Sequence, residues 1–312
     1  NVAYNYLRGE FWQVAKFQDQ CIAELRAKGF LGKNLFGTSY SLDIHLHLGA
    51  GAYICGEESA LLESIEGKLG QPRLKPPFPA DKGLYQMPTV VNNTETLTNV
   101  PLIVSRGAEW YQSIGVKNSA GTKVMCLSGH VNKPGNYELP FGVTLRQVIY
   151  DYAGGVPGDR KVKAAMLSGA SSVVLSGGDD ILDMKLDYDS VAAKGAALGS
   201  ASIIVMDETV DLAWVMLKTT RFFKHESCGK CTPCREGTYW MLHILERLNK
   251  GEGTKADVEL LNTVASQVQN KCLCPLGEFA VTPVLSSLKT FRADFEAHAK
   301  DGAKLKPAAG AK

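Results

Sequence analysis

No apolar run in the sequence approaches the ~20 residues needed to span a bilayer, so membrane contact is expected only through partner subunits. Net charge is almost absent, at +2 for 34 basic and 32 acidic residues, which leaves no global field for nucleic acid. The chain opens without Met and without a basic and apolar leader, so no secretory signal is visible. Residues 2–7 already alternate like a strand, and the chain is therefore expected to be truncated at its N-terminus, with part of its first domain missing. Cysteine is scarce until late. Cys21, Cys55 and Cys126 stand alone, whereas five of the eight cysteines fall between 228 and 274. That distribution speaks against a disulfide framework and for metal or redox chemistry. What is present, 45% hydrophobic and 21% charged residues over 312 positions, is a globular composition with room for roughly two or three domains.

The first third reads as a β-α-β unit. After the opening strand, Trp12 to Lys28 is helical, with Val14, Phe17, Cys21, Ile22 and Leu25 on one face and Gly29 as its C′ residue. The next strand, 42–48, alternates Leu42, Ile44, Leu46 and Leu48 with polar residues. A crossover of this length implies parallel strands with a ligand site at their carboxyl ends. The segment Gly49-Ala-Gly-Ala-Tyr-Ile-Cys-Gly-Glu-Glu58 follows directly and leads into a helix carrying Leu61, Leu62 and Ile65. A Pro- and Gly-rich stretch over 70–101 predicts a long functional loop, then a helix capped near Asn93-Thr94-Glu95. From Lys117 to Asp207 short strands (123–128, 137–139, 162–167, 203–206) and one helix over 144–153 predict a small, ubiquitin-like α+β module, read as a spacer or docking domain. Helical periodicity over 209–223, 238–248, 255–268 and 281–299 predicts a four-helix bundle. Residues 301–312 are expected to be a disordered tail.

The sharpest chemical signal is Glu226-Ser-Cys228-Gly-Lys-Cys231-Thr-Pro-Cys234-Arg-Glu-Gly237. Three thiols spaced three apart can wrap a cubane, each meeting a different iron, with a distant fourth cysteine completing the shell of a [4Fe-4S] cluster. Zinc, which gathers four ligands at one point and favours a pair plus a pair, and free thiols are the alternatives. The fourth ligand is Cys272 or Cys274; Pro275 after Cys274 holds a rigid turn and tips the choice towards Cys274. Lys230 and Arg235 flank the thiols, as a charge that favours a reduced cluster or as a solvated surface.

Gly49 and Gly51 let backbone approach a ligand, and amides at a helix N-terminus suit phosphate, but this segment is not the G-x-G-x-x-G fingerprint. Glu57 and Glu58 would repel a phosphate. They could instead accept from ribose hydroxyls or a carboxamide, or be ordinary first-turn acids favoured by the helix dipole. Phe78 could stack on a ligand ring or anchor its loop; Lys75 could meet a phosphate or be solvated. His45 and His47 share a strand face, where a packed or exposed pair is the bland alternative to a metal site. His225 is expected to cap or hydrogen-bond nearby.

Together the 49–58 segment, Pro72-Arg-Leu-Lys-Pro-Pro-Phe-Pro-Ala80, Asn92-Asn-Thr-Glu-Thr96 and the 226–236 cysteine segment resemble the NADH-binding flavoprotein subunit of respiratory complex I, with relatives in NAD-linked hydrogenases and formate dehydrogenases. The resemblance covers residues 1–300 in order. It implies a partial Rossmann-like FMN domain (1–115), a ubiquitin-like SLBB domain (116–207) and a helical bundle with a [4Fe-4S] cluster (208–300), an α/β plus α architecture. It further implies that Tyr53, Gly56, Glu57, Glu58, Asn92 and Asn93 line FMN, beside Gly49 and Gly51 as cofactor-binding candidates, that Glu58, Lys75 and Phe78 help place NAD(H), and that Cys274 joins Cys228, Cys231 and Cys234 on the cluster. Cys272 is then an extra thiol. The family's upstream glycine-rich loop and the acidic segment after it have no counterpart here. The implied activity is hydride transfer from NADH to FMN, then single-electron transfer to the cluster and on towards quinone. Hydride transfer needs stacking and orientation rather than a protein base, so Glu57 and Glu58 are expected to act in the catalytic site by positioning. The implied partners are a [2Fe-2S] thioredoxin-like subunit and a large multi-cluster iron-sulfur subunit, on the cytoplasmic face of a bacterial membrane. A diaphorase subunit of a hydrogenase or formate dehydrogenase, a relay subunit without its own flavin, and a zinc-stabilised scaffold are the rival readings.

Overall fold

A computed structural model describes residues 1–301, so the expected tail lies, from 302 on, outside the described residues. The chain forms two compact units, Asn1–Val91 and Asn92–Lys312.

In the first unit, β1 (Val2–Leu7) and β2 (Asp43–Leu48) pair in parallel, from Val2 opposite Asp43 to Leu7 opposite Leu48. The crossover carries α1 (Trp12–Ala27), which ends with Gly29 at φ +73°, the left-handed C′ conformation its sequence favours. The face α1 turns inward differs from the expected one. Ala15 and Ile22 are buried while Val14, Phe17 and Leu25 are exposed. Ala15 and Ile22 lie along the line of contact, and Gln18 between them accepts from Asn5 Nδ2 of β1 at 2.9 Å. His45 and His47 stand opposite Tyr4 and Tyr6 with ring centroids 5.5 Å apart in each pair, so both pack across the sheet. A short helix, α2 (Glu58–Ile65), buries Ala60, Leu62 and Ile65.

The second unit opens with α3 (Thr94–Arg106), whose N-cap is Asn93, its side-chain oxygen accepting from the Glu95 N–H at 2.8 Å. Then come β3 (Thr122–Gly129), β4 (Gly135–Pro140), β5 (Val162–Met166), β6 (Val174–Ser176) and β7 (Ser202–Asp207), in the spatial order β4-β3-β7-β5-β6. β3 and β7 pair in parallel and the other neighbours antiparallel, the ubiquitin-like arrangement. The helix expected over 144–153 is instead one α turn, Leu145–Gln147, running into a π turn at Val148–Tyr152. Thr144 and Gln147 close a capping box at its start, and Gly154 and Gly155, both at positive φ, end it.

This sheet is buried on both sides. Val162, Ala165, Ile203 and Val205 face a core shared with Leu145, Val148, Ile149, Leu186 and Leu198. Ala164, Met166, Val174 and Met206 point the other way, into the core of a helical bundle. The 117–207 module is therefore one wall of the bundle rather than a spacer. Its helices are α4 (Leu212–Glu226), α5 (Thr232–Asn249), α6 (Lys255–Val268) and α7 (Leu276–Thr290), followed by the one-turn α8 (Arg292–Glu296). α6 lies where periodicity places it, and α4 is shifted by three residues. α5 starts six residues earlier than expected, inside the cysteine segment, because Pro233 fits a first helical turn. The single helix expected over 281–299 starts at Leu276 and breaks at Phe291 (φ −123°, ψ 34°). The break turns Asp294 and Phe295 inward, where Asp294 Oδ2 accepts from Lys163 Nζ at 2.5 Å and from the Leu212 N–H at 2.9 Å.

His298 and Asp211 meet at 2.6 Å beside that junction. The Asp211 carboxylate holds His298 above its ordinary 6.5. Burial pushes Asp211 up, but His298 and the helix N–H groups outweigh it and leave it below 3.8. The histidine's contribution is full below pH 6.5 and fades as pH rises through its folded value; the aspartate's is present above 3.8. His298→Gln is thus expected to cost about 0.5–1 kcal/mol in urea unfolding at pH 6, with the difference shrinking by about pH 9. Equal losses at both pH values would remove the charge pairing.

Candidate functional site

Two places bring the predicted residues together. The first follows β2. Gly49 lies at the strand's carboxyl end, its N–H bonded to Leu7 O at 2.8 Å. A Cβ there would sit 2.3 Å from the Tyr6 hydroxyl, so only glycine lets the Tyr6 side chain of β1 lie this close. Gly51 takes φ +84°, and the chain then makes a 3-10 turn at Tyr53–Gly56 before α2. Above Gly56 no atom lies within 4 Å of where a Cβ would be.

Glu57 is the N-cap of α2. Its Oε2 accepts from the Ser59 N–H at 3.0 Å, the Ala60 N–H at 2.9 Å and the Ser59 hydroxyl at 2.5 Å. Its Oε1 takes Lys75 Nζ at 3.1 Å, and the same ammonium reaches Glu58 Oε1 at 2.5 Å. Burial pushes the Glu57 carboxyl up, but these donors outweigh it and hold it below the usual carboxylate range. Lys75 is raised, first by its bond to Glu58. The Ser59 and Ala60 amides at the helix N-terminus are thus already taken by a carboxylate. A negative charge at this helix end disfavours a phosphate there and leaves carboxylate oxygens as hydrogen-bond acceptors.

Arg73, which sequence reasoning passed over inside its motif, organises this site. Its guanidinium binds Glu63, Glu66 Oε1 at 2.8 Å and Gly83 O at 2.9 Å, while its own N–H donates to Ser59 Oγ at 2.9 Å. The loop bearing Lys75 and Phe78 is thereby tied to α2. The signal available was an arginine among prolines with two acids, Glu63 and Glu66, one turn apart on the preceding helical segment. Phe78 itself is 53% exposed, and the peptide bonds before Pro76 and Pro77 are cis. Asn92 and Asn93 belong to the second unit, at the start of α3.

The second place is the cysteine segment. Ser227 ends α4, Cys231 caps α5, and Cys234 lies buried in the first turn of α5. Ser227 Oγ is 3.3 Å from Cys234 Sγ. Cys272 and Cys274 come from the turn between α6 and α7. The Cys272 thiol bonds to the Cys234 sulfur, which draws Cys234 down to about 7 and holds the proton on Cys272. Burial pushes Cys274 up to about 11, and the sulfurs of Cys228, Cys231 and Cys234 lie near enough to add to it. All five thiols therefore gather at one end of the bundle. Among the described residues no three His, Cys, Asp or Glu side chains form a single-ion site. A cubane asks for something else, one thiolate on each of four irons, and five gathered thiols supply the donor chemistry. Two glycines make the gathering possible: a Cβ on Gly237 would lie 2.1 Å from Val268 Cγ2, and one on Gly277 would lie 2.2 Å from Cys272 Sγ.

Comparison with known proteins agrees with this division. Residues 1–102 match the Nuo51 FMN-binding domain, 124–174 the SLBB domain and 214–298 the NADH-ubiquinone oxidoreductase-F iron-sulfur binding region. The NADH-quinone oxidoreductase F subunit of Mycobacterium tuberculosis is 47% identical over 300 residues, covering 96% of this chain and 67% of that protein. The chain belongs to the family of NADH-quinone oxidoreductase F subunits. The second such F subunit of Rhizobium meliloti is likewise 47% identical, over 96% of this chain and 70% of its own length. One polypeptide of an NAD+-reducing [NiFe]-hydrogenase in its H2-reduced state superposes with a TM-score of 0.84 at 36% identity; the family member described here spans 49% of it. The expected family, the FMN-domain, SLBB and iron–sulfur architecture, and the FMN and [4Fe-4S] assignments of the family all stand.

Arg73→Met is expected to leave Glu66, whose side chain is 6% exposed, with Lys68 as its one remaining cation and Glu63 without its guanidinium, and to cost about 2–3 kcal/mol in urea unfolding. Burial raises Glu66, yet its donors hold it at about 2, so this stability is present above 4.5 and lost as pH falls towards 2. The difference between the two proteins should narrow over that range. A constant difference would show that packing, not charge, is what Arg73 contributes.

Proposed function

We propose that this chain forms the part of the F subunit in which NADH gives up a hydride to FMN and the electrons leave singly through a [4Fe-4S] cluster towards quinone. The arrangement that carries the reading is Lys75 held between Glu57 and Glu58 directly after the carboxyl end of a parallel strand pair. When bound, the flavin supplies a two-electron acceptor that can release electrons one at a time. The residues of this chain bind and orient. Gly49, Gly51, Tyr53 and Gly56 give the close approach, and Asn92 and Asn93 are assigned to the flavin by the family resemblance. Glu57 is committed to its cap and fixes Lys75. Glu58, more exposed at 41%, keeps carboxylate capacity for a ribose hydroxyl or an amide NH2 of the nicotinamide half. Phe78 offers an open aromatic face for stacking. Glu57 and Glu58 act by position, and neither needs to move a proton.

Cys228, Cys231, Cys234 and Cys274 are the cluster ligands in this reading, and Cys272 stands beside them as a thiol that hydrogen-bonds a ligand sulfur. Membership of the family makes the chain a subunit of the NADH-quinone oxidoreductase complex. The partners proposed are a [2Fe-2S] thioredoxin-like subunit and a large multi-cluster iron–sulfur subunit, at the cytoplasmic face of a bacterial membrane. No described helix is long and apolar enough to cross one. A second reading, the diaphorase arm of an NAD-linked hydrogenase, is favoured by the hydrogenase superposition.

Visible and EPR spectra of the full-length parent complex, before and after NADH, test the first reading. Flavin bleaching and a reduced-cluster signal are expected, with quinone as the competent acceptor; absence of both spectral changes would overturn it. Glu58→Gln is expected to raise the KM for NADH about tenfold at unchanged flavin content, the scale of one charge-assisted hydrogen bond. An unaltered NADH dependence would remove Glu58 from the nicotinamide site. Cys274→Ser should abolish the cluster's EPR signal, whereas Cys272→Ser should keep it with shifted g-values. The reverse pattern would exchange the two assignments.

A further inference from the structure

We infer that Ser227, with Cys272 as a second donor, raises the reduction potential of the cluster by hydrogen-bonding the Cys234 sulfur; this rests on the cluster reading above. All the residues involved belong to the second unit. Ser227 Oγ lies 3.3 Å from Cys234 Sγ. A sulfur bound to iron carries no proton, so in the loaded protein the hydroxyl is the donor. The loop between α4 and α5 holds that hydroxyl in place. The Ser227 N–H ends α4 on Phe223 O at 2.9 Å. Gly229, at φ +74°, turns its N–H back onto Ser227 Oγ at 3.4 Å, which occupies a lone pair and leaves the hydroxyl proton for the sulfur. Arg235, in the first turn of α5, closes the loop on Gly229 O at 2.7 Å.

The second donor comes from a different element, the turn between α6 and α7. The single thiol proton of Cys272 has two acceptors, Val268 O at 3.7 Å and the Cys234 sulfur, and a charged sulfur is the stronger of the two. Both donors thus converge on the same one of the four ligand sulfurs. Cys234 is also the buried ligand, whereas Cys228, Cys231 and Cys274 are each partly exposed. Water is kept from a buried sulfur, so protein donors decide how much negative charge it can carry. Each hydrogen bond draws charge from the sulfur and favours the more negative, reduced cluster. A serine serving only as a helix end would need no more than its backbone bond to Phe223.

Ser227 and Cys272 are thus residues that act on the reaction through Cys234. The test uses the full-length protein and reads the cluster's midpoint potential by EPR-monitored redox titration, beside its iron and sulfide content. Ser227→Ala is expected to make reduction about tenfold less favourable, a midpoint about 59 mV lower, at unchanged iron content. Ser227→Thr, which keeps the hydroxyl, should restore the wild-type value. Cys272→Ala should lower the midpoint in the same direction, and the double variant should fall below either single one. Where Ser227→Ala fails to hold iron, Cys272→Ala carries the test with the same expected sign. A full complement of iron with an unmoved midpoint in Ser227→Ala and Cys272→Ala would overturn the inference and leave the cluster reading standing. Absence of a reducible cluster from the wild-type protein would remove the cluster reading, and the inference would fall with it.

Discussion

A sheet can be covered on both sides only if successive residues along its central strands are all apolar, since each neighbour points to the opposite face. β5 and β7 meet that condition with Ala164, Ala165 and Met166 and with Ile203, Ile204, Val205 and Met206. One set of these side chains closes the ubiquitin-like core and the other forms the floor of the helical bundle. The bundle's first helix, α4, begins five residues after β7 ends, so the strand that completes the sheet also aims the helix that leads into the cysteine segment. Asp294 locks the junction by serving Lys163 of the sheet and the first N–H of α4 at once. The placement of the thiols thus rests on strand patterning as well as on the glycines around the cysteines.

The flavin-side unit is organised by charge instead. Ser59 takes the Arg73 N–H and donates to Glu57, and Glu57 holds Lys75, giving a relay of hydrogen bonds from the proline-rich loop to the helix cap. A buried polar network of this kind is worth having only when each member is satisfied. Arg73 meets that requirement with partners on four residues, and Glu66 with Arg73, Lys68 and the Tyr85 N–H.

Much of this was legible in the sequence. Alternation and periodicity located the parallel pair, four of the module's five strands (not Val174–Ser176) and α6, and the Asn93 cap announced α3. The cysteine spacing named the cluster chemistry, and the four quoted segments named the family. What escaped was decided at long range. The rotation of α1 shows in the burial of Ala15 and Ile22 and in the Asn5–Gln18 bond, and nothing local to Val14 or Phe17 reports it. The break at Phe291 carries no Gly or Pro signal, because it is driven by the burial of Asp294 and Phe295. Glu57 looked like a ligand group, and its role as a cap was hidden because glutamate is not a favoured N-cap residue. Arg73 was indistinguishable from a solvated loop arginine until Glu63 and Glu66 were seen beside it.

Gly237 is the plainest residue of the cysteine segment, and it has the widest reach. Because no Cβ stands there, α5 lies against Val268 of α6 as closely as backbone allows. A larger residue at 237 would wedge α5 off α6 and carry Cys234, three residues earlier in the same helix, away with it. In that sense a missing methyl group acts as a gauge block for the position of a thiol.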